Sequence, residues 1–201
     1  MPTFSEIQNC LSKKTVGIAG AGGLGSNCAA ALARTGIGKL IIADFDVVSE
    51  SNLNRQYYFY DQIGQKKVFA LRENISRINP AVTVEVHTER VTSENILKFF
   101  EKCDVIVEAF DQADQKQMLI EFMLDKRPHT PVVAGSGMAG YGDSNSLRVE
   151  KIDNLYICGD GSSEVSVINP PLAPRVGIVS NMEANVVLEI LLIELSDGDR
   201  D

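Results

Sequence analysis

No two of the cysteines form a CxxC pair. Cys10, Cys28, Cys103 and Cys158 stand far apart, and the two histidines, His87 and His129, lie near none of them in sequence. Structural zinc sites use ligands closely paired in sequence, so this spacing argues against one. Scattered thiols of this kind are expected as small buried hydrophobes in a reducing compartment. Basic residues are scarce: 19 Lys and Arg against 27 Asp and Glu leave a formal charge of −8. That argues against a nucleic-acid surface, which draws on clustered Lys and Arg. No window reaches the roughly 18 apolar residues of a membrane span. The opening MPTFSEIQNCLSKK lacks the basic start and apolar run of a secretory leader. The expectation is a cytoplasmic protein with no membrane and no nucleic-acid partner. No internal repeat is visible, and 201 residues with 44% hydrophobic content suffice for one domain with a real core.

What is present is a strand–helix alternation. Residues 2–13 carry Phe4, Ile7 and Leu11 at helical spacing. Thr15–Gly20 is a β-branched run that breaks at Gly20. Gly23–Thr35 is an Ala- and Leu-rich helix with glycines after it, and Lys39–Asp44 is a second short strand. Strand, helix, strand in about 30 residues is a βαβ unit with parallel strands. Phe45–Ile63 is too long for an ordinary connection, and such loops tend to be functional. Helices are then predicted over Gly64–Ile78, Ser93–Phe100 (capped by Thr92 or Ser93) and Gln112–Asp125. Strands are predicted over Val82–His87, Asp104–Ala109 and Pro131–Ser136. Leu147–Ile152 and Leu155–Cys158 read as a hairpin turning at Asp153-Asn154. A proline-rich loop, Gly159–Pro174, leads to an apolar helix over Val176–Leu195, and the tail SDGDRD is expected to fray. The fold class is α/β, a Rossmann-like, mostly parallel sheet flanked by helices, with an antiparallel C-terminal extension. The domain spans 1–201, with a nucleotide-binding half at about 15–135.

The chemistry concentrates in Thr15–Arg55. Gly20, Gly22 and Gly25 satisfy G-x-G-x-x-G between a strand and a helix, which lets backbone approach a phosphate or sugar. Asp44 ends the second strand, where a carboxylate accepts hydrogen bonds from ribose hydroxyls. Taken alone, this pattern fits an NAD-dependent oxidoreductase, and a lone glycine fingerprint is weak evidence.

The later motifs narrow it. GAGGLGSN, DFDVVSESNLNRQ, GQKK at 64–67 and EAFDQAD at 108–114 occur in that order, and together the stretch from about Thr15 to Leu195 resembles the ThiF/MoeB family of ubiquitin-activating-like adenylyltransferases. Without CxxC pairs, the chain is most similar to the short, zinc-free ThiF-like subgroup. The resemblance implies an ATP- and Mg²⁺-dependent adenylyltransferase. Its substrate would be the C-terminal Gly-Gly carboxylate of a ubiquitin-fold sulfur carrier, ThiS, in thiamine biosynthesis. It also implies a homodimer. Gly20, Gly22 and Gly23 then line the adenylate, Asp44 holds the ribose, and Asn52, Arg55 and Lys67 face the triphosphate. Asp111 binds Mg²⁺ beside the α-phosphate, with Asp114 as the alternative metal carboxylate. Arg55, Lys67 and Asp111 carry the catalysis. The attacking carboxylate is already ionised at neutral pH, so no general base is required.

Asp46 is expected as loop structure or as a partner behind the direct ligands, Lys66 as a solvated charge and Lys116 as helix surface or a phosphate contact. Relatives often supply an Arg from an N-terminal helix to the neighbouring subunit, but this chain has only Lys13 and Lys14 before its first strand. Arg175 is the candidate replacement. Cys158 is the one thiol near the carrier-tail loop. The stretches 135–142 and 159–174 are the expected walls of a carrier-tail groove, within a C-terminal part of about 136–195, and strands 147–158 are a docking face for the carrier body. Competing readings are a different carrier, such as the molybdopterin synthase small subunit, a non-catalytic partner subunit, and activation of a tRNA-borne carboxylate. SNLNRQ, Lys67 and Asp111 have no task in hydride transfer, which disfavours the NAD reading.

Overall fold

The structure, a computed structural model, describes residues 2–193 and 195. Helix α1 (Phe4–Leu11) starts from a reciprocal cap: the Thr3 hydroxyl accepts from the Glu6 N–H, and the Glu6 carboxylate accepts from the Thr3 N–H. Then come β1 (Thr15–Ala19), α2 (Gly23–Thr35) and β2 (Lys39–Ala43), the expected βαβ unit. The long loop that follows carries two single-turn 3-10 helices, Glu50–Asn52 and Tyr60–Gln62. The chain continues through α3 (Lys67–Ile78), β3 (Thr83–His87), α4 (Ile96–Phe100), β4 (Val105–Glu108), α5 (Ala113–Lys126) and β5 (Val132–Gly135). It ends with the hairpin β6 (Arg148–Ile152) and β7 (Leu155–Gly159), then α6 (Ala173–Leu191).

Three boundaries depart from expectation for identifiable reasons. Helix α3 begins at Lys67, not Gly64, because Gly64 sits at φ 87° and Lys66 is held in a bridge to Val47. Helix α4 begins at Ile96, because Asn95, rather than Thr92 or Ser93, closes the preceding turn by accepting the Thr92 N–H at 2.8 Å. Helix α6 starts inside the proline-rich stretch. Pro174 occupies its first turn, where the missing N–H costs nothing. The tail Ser196–Asp201, expected to fray, lies outside the described residues.

The seven strands are ordered β3-β2-β1-β4-β5-β7-β6. Neighbours run parallel except β6 with β7. The expected antiparallel extension is therefore one strand wide: β7 joins β5 in parallel and β6 forms the edge. The chain builds β1, β2 and β3 outward on one side and then crosses to β4, so the topological switch point lies between β1 and β4.

Side chains alternate across this sheet and build two cores. Val16, Ile18, Leu40 and Ile42 pack with buried residues of α2, α3 and α6. Ala19, Ile41, Ala43 and Ile106 pack with Ile96, Phe99 and Phe100 of α4 and Leu119 and Met123 of α5. Gly17 belongs to this second face for want of space, since a Cβ there would stand 2.8 Å from the Phe100 ring. Helix α6 buries Val176, Val179, Glu183, Val186 and Val187, a helical stripe laid against α2.

Candidate active site

The parallel strands end at one level. Ala19 pairs with Ala43 and with Glu108, and Glu108 with Ala134. The next residues, Gly20, Asp44, Ala109 and Gly135, therefore line one crevice edge over the switch point, where ligands of open α/β sheets bind.

The glycine turn is shaped by close backbone contacts. Gly20 has φ 101°, and a Cβ there would lie 2.7 Å from the Ala109 carbonyl oxygen. A Cβ on Gly25 would lie 1.9 Å from the Gly20 oxygen, so α2 can seat on the turn only with glycine there. Gly22 is different: its Cβ position has nothing nearer than Gln56 Nε2 at 3.9 Å, an open edge. Helix α2 starts at Gly23 without a side-chain cap or an acidic first turn. Its first N–H groups and its dipole suit an anion.

Asp44 anchors the turn from the next strand. Its Oδ2 accepts the Ala21 N–H and its Oδ1 the Asp46 N–H, both at 2.7 Å. Burial raises its carboxyl pKa, against the opposing pull of Lys67 and those two N–H groups. Tyr58 donates its hydroxyl to the Ala21 carbonyl at 2.7 Å. Lys67 is buried and pairs with Asp46 at 2.8 Å, which gives Asp46 the partner role among its two expected ones. Lys66 donates to the Phe45 carbonyl at 2.6 Å and stays exposed.

The SNLNRQ element lies across the start of α2. Asn27 donates to the Arg55 carbonyl at 2.9 Å, and Ser26 Oγ accepts the Tyr57 N–H at 2.9 Å. The stem of Arg55 passes 3.6 Å from the Cβ position of Gly23, while its guanidinium reaches the Ser51 carbonyl and Asn54. Asn52 spends its side-chain oxygen on the Ser49 N–H at 3.0 Å, which closes the turn. Asp111 follows β4 beside the glycine turn, where Phe110 packs on Gly20, and it is exposed. Gly20, Gly22, Gly23, Asp44, Asn52, Arg55, Lys67 and Asp111 thus all lie on the strand-end side of β1, β2 and β4.

Several roles shift. Lys116 is not a free surface charge: it pairs with Glu108, the fully buried last residue of β4. Glu108 also accepts the Phe110 N–H at 2.8 Å and so shapes the turn that carries Asp111. Glu183 of α6 is fully buried with no hydrogen-bond partner for either oxygen, and burial drives its carboxyl pKa well up. Arg175 does not face the crevice as a spare cation, because its guanidinium is bound to Asp160 and to loop carbonyls. Cys158 is fully buried, and burial pushes its thiol up to about 12. The two expected groove walls are tied together by backbone hydrogen bonds. Ser136 donates to Cys158, Asp160 to Gly137, and Gly140 to Pro170, at 2.8, 3.1 and 2.9 Å. Gln56, Glu108, Asp160 and Glu183 escaped the sequence reading. For two of them a signal was in hand: Gln56 ends SNLNRQ and Glu108 opens EAFDQAD.

A mostly parallel sheet whose central strand ends carry an open glycine turn, a carboxylate and two cations is an α/β domain of the Rossmann kind. The comparisons with known proteins agree with that class and narrow it. The chain belongs to the ThiF family, whose profile matches residues 2–198. It is 34% identical to the tRNA threonylcarbamoyladenosine dehydratase of Escherichia coli, over 90% of this chain and 68% of that protein. It is 26% identical to the molybdopterin-synthase adenylyltransferase of Salmonella typhimurium, over 92% of this chain and 76% of that protein. It is 32% identical to the adenylyltransferase and sulfurtransferase MOCS3 of Caenorhabditis briggsae over 91% of this chain, but spans only 47% of that longer protein. The crystal structure of the Escherichia coli dehydratase with ATP superposes with a TM-score of 0.85, covering 95% of this chain and 90% of that one. At 22% identity in the superposition, that likeness is one of fold. No helix among the described residues is long and apolar enough to cross a membrane.

Proposed function

We propose that the protein is an ATP-dependent adenylyltransferase that activates the C-terminal carboxylate of a ubiquitin-fold carrier ending in Gly-Gly, a ThiS-like sulfur carrier of thiamine biosynthesis. The observation that carries this reading is the meeting of an open glycine turn, Asp44, Arg55, Lys67 and an exposed Asp111 at one switch point of a ThiF-family chain. Dehydrogenase chemistry has no use for the two cations or for Asp111.

In this reading the ribose hydroxyls donate to Asp44, and the open edge at Gly22 and Gly23 takes the adenylate. A carboxylate oxygen of the carrier attacks the α-phosphorus. The bond from that phosphorus to the bridging oxygen breaks, and pyrophosphate leaves. No proton moves, so no general base is needed. Lys67 and Arg55 meet the charge that builds on the phosphate oxygens; Lys67 exchanges Asp46 for phosphate as it does so. Asp111 is the carboxylate suited to Mg²⁺, since one exposed carboxylate plus substrate phosphates is an ordinary magnesium environment, and the ion would supply further charge neutralisation. The carrier body docks on the hairpin side, where Val149, Ile178 and Met182 line an open apolar groove of 590 Å³ between β6 and α6. The protein acts as a cytoplasmic homodimer.

The named substrate of the Escherichia coli relative supports a second reading, activation of a tRNA-borne group, and the charge of −8 counts against it. ATP–pyrophosphate exchange separates these. We expect exchange that depends on a ThiS-like carrier with an intact Gly-Gly end. Exchange with the molybdopterin carrier alone moves the pathway, exchange with tRNA alone moves the class, and binding of NAD without ATP ends the proposal.

A further inference from the structure

Arg175, the third residue of α6, is 5% exposed. Its guanidinium donates to the Asp160 carboxylate at 2.6 Å, to the Gly142 carbonyl, and at 3.4 Å to both the Asp143 carbonyl and the Ser146 hydroxyl. The two carbonyls belong to residues in left-handed backbone, Gly142 at φ 73° and Asp143 at φ 45°. Such a conformation is strained at an aspartate and persists where the surroundings over-determine it.

Asp160 does the same for the second loop. Its Oδ1 accepts the Ser162 and Ser163 N–H groups, both at 2.7 Å, next to Gly161 at φ 71°. Burial alone would raise its carboxyl pKa, but those two N–H groups and Arg175 together hold it below the usual carboxylate range. The fit is tight: a Cβ on Gly137 would stand 2.0 Å from Asp160 Oδ1. One ion pair therefore fixes both glycine-rich loops, and neither of its members bonds to Gly20–Gly23, Asp44, Lys67 or Asp111.

We propose that Arg175 and Asp160 form a positioning latch that shapes the acceptor side of the site and sets affinity for the carrier tail, not for the nucleotide. This rests on the carrier-adenylating reading above. A Gly-Gly tail has no side chains to grip, so it is recognised by backbone placed to match it. A wall that drifts by about 1 Å loses that match.

The test is steady-state exchange by Arg175→Ala, Arg175→Lys and Asp160→Asn, each first checked for a cooperative thermal transition. Lysine keeps the charge, but its compact head cannot span Asp160 and the Gly142 carbonyl together, so Arg175→Lys serves if the alanine variant does not fold. We expect the KM for carrier to rise about tenfold, the worth of roughly one charged hydrogen bond. We expect kcat and the KM for ATP to hold within about twofold, and the double variant to be no worse than the worse single, as for members of one unit. A raised KM for ATP with carrier KM unchanged overturns the latch and puts the guanidinium on the phosphates. Unchanged values for both also overturn it. If the wild-type protein activates no carrier, the functional reading fails first, and the latch is then judged by hydrogen exchange. Amides of 137–146 should lose protection in Arg175→Lys, and unaltered protection refutes it.

Discussion

Replacing Glu183 with Gln should remove a loss of stability that grows as pH rises. The carboxyl is fully buried, neither oxygen has a partner, and its charge neighbours are Lys116 and Glu108, which already pair with each other. Burial therefore disfavours the charged form of Glu183 and lifts its folded pKa well above the ordinary 4.5. For a carboxyl shifted upward, the stabilising contribution is complete below its unfolded pKa and is lost as pH climbs towards the folded one. Holding the proton at pH 7 costs up to about 3 kcal/mol at 1.36 kcal/mol per pH unit. Glutamine has no such proton. Its buried amide adds a penalty that does not vary with pH, and the other shifted groups, Asp44 and Glu108 among them, are common to both proteins. The difference between the two isolates one residue. Urea unfolding from pH 4.5 to 8 is the assay, with equal m-values as the check on two-state comparison. The gap should widen by up to about 3 kcal/mol between pH 4.5 and 7, equivalent to roughly 6–12 °C in Tm for a chain of this size. A gap that stays constant over that range would show Glu183 ionised and paired with Lys116, and the reasoning from burial would be refuted.

Other substitutions probe the site directly. Asp111→Asn, at an exposed position, should leave the thermal midpoint nearly unchanged and cut pyrophosphate exchange by about 10²–10³-fold; near-normal exchange would remove Asp111 from the chemistry. Gly25→Ala puts a Cβ 1.9 Å from the Gly20 oxygen and should cost about 3 kcal/mol or more, whereas Gly64→Ala meets nothing within 4 Å and should cost only about 1–2 kcal/mol for its left-handed backbone. Similar denaturation midpoints for the two would contradict that contrast. Alkylation of the folded protein should spare Cys28, Cys103 and Cys158, all buried, with burial pushing the thiols of the latter two up to about 12. Mass spectrometry that finds Cys158 modified before unfolding would restore it as a candidate for sulfur transfer.

Most of the scaffold could be read from residue order, because apolar runs such as TVGIA, KLIIA and VIVE are buried strands with little choice of partner. The glycine turn and Asp44 were legible for the same reason, each adjoining a strand end, while the SNLNRQ element was legible from its order among the motifs of the resemblance. What could not be read depends on pairing across the fold. Glu108 closes a buried apolar strand with no partner apparent in the sequence until Lys116, eight residues on, returns from α5 to meet it. Arg175 looks like a spare cation at a helix start, since nothing in APRVG says that two loops return to its guanidinium. Glu183 looks like one more charge on a long helix, and only the approach of α2 and β5 buries it. Local spacing carries the elements; long-range return of the chain decides what becomes of the charges.

The position of β7 has a consequence for the order of assembly. The β6–β7 hairpin pairs neighbours, down to Ile152 with Leu155, and such a unit closes in about 1–10 μs. The central β1–β4 pairing joins Val16 to Val105 and must await closure of a far longer loop. β5 meets β7 across a much shorter span, Val132 with Leu155, so the hairpin and β5 can join before the central β1–β4 pairing closes. In pulsed hydrogen exchange, the β7 amides facing β5 should gain protection before those joining β1 and β4. Simultaneous protection would show that the sheet closes as one unit.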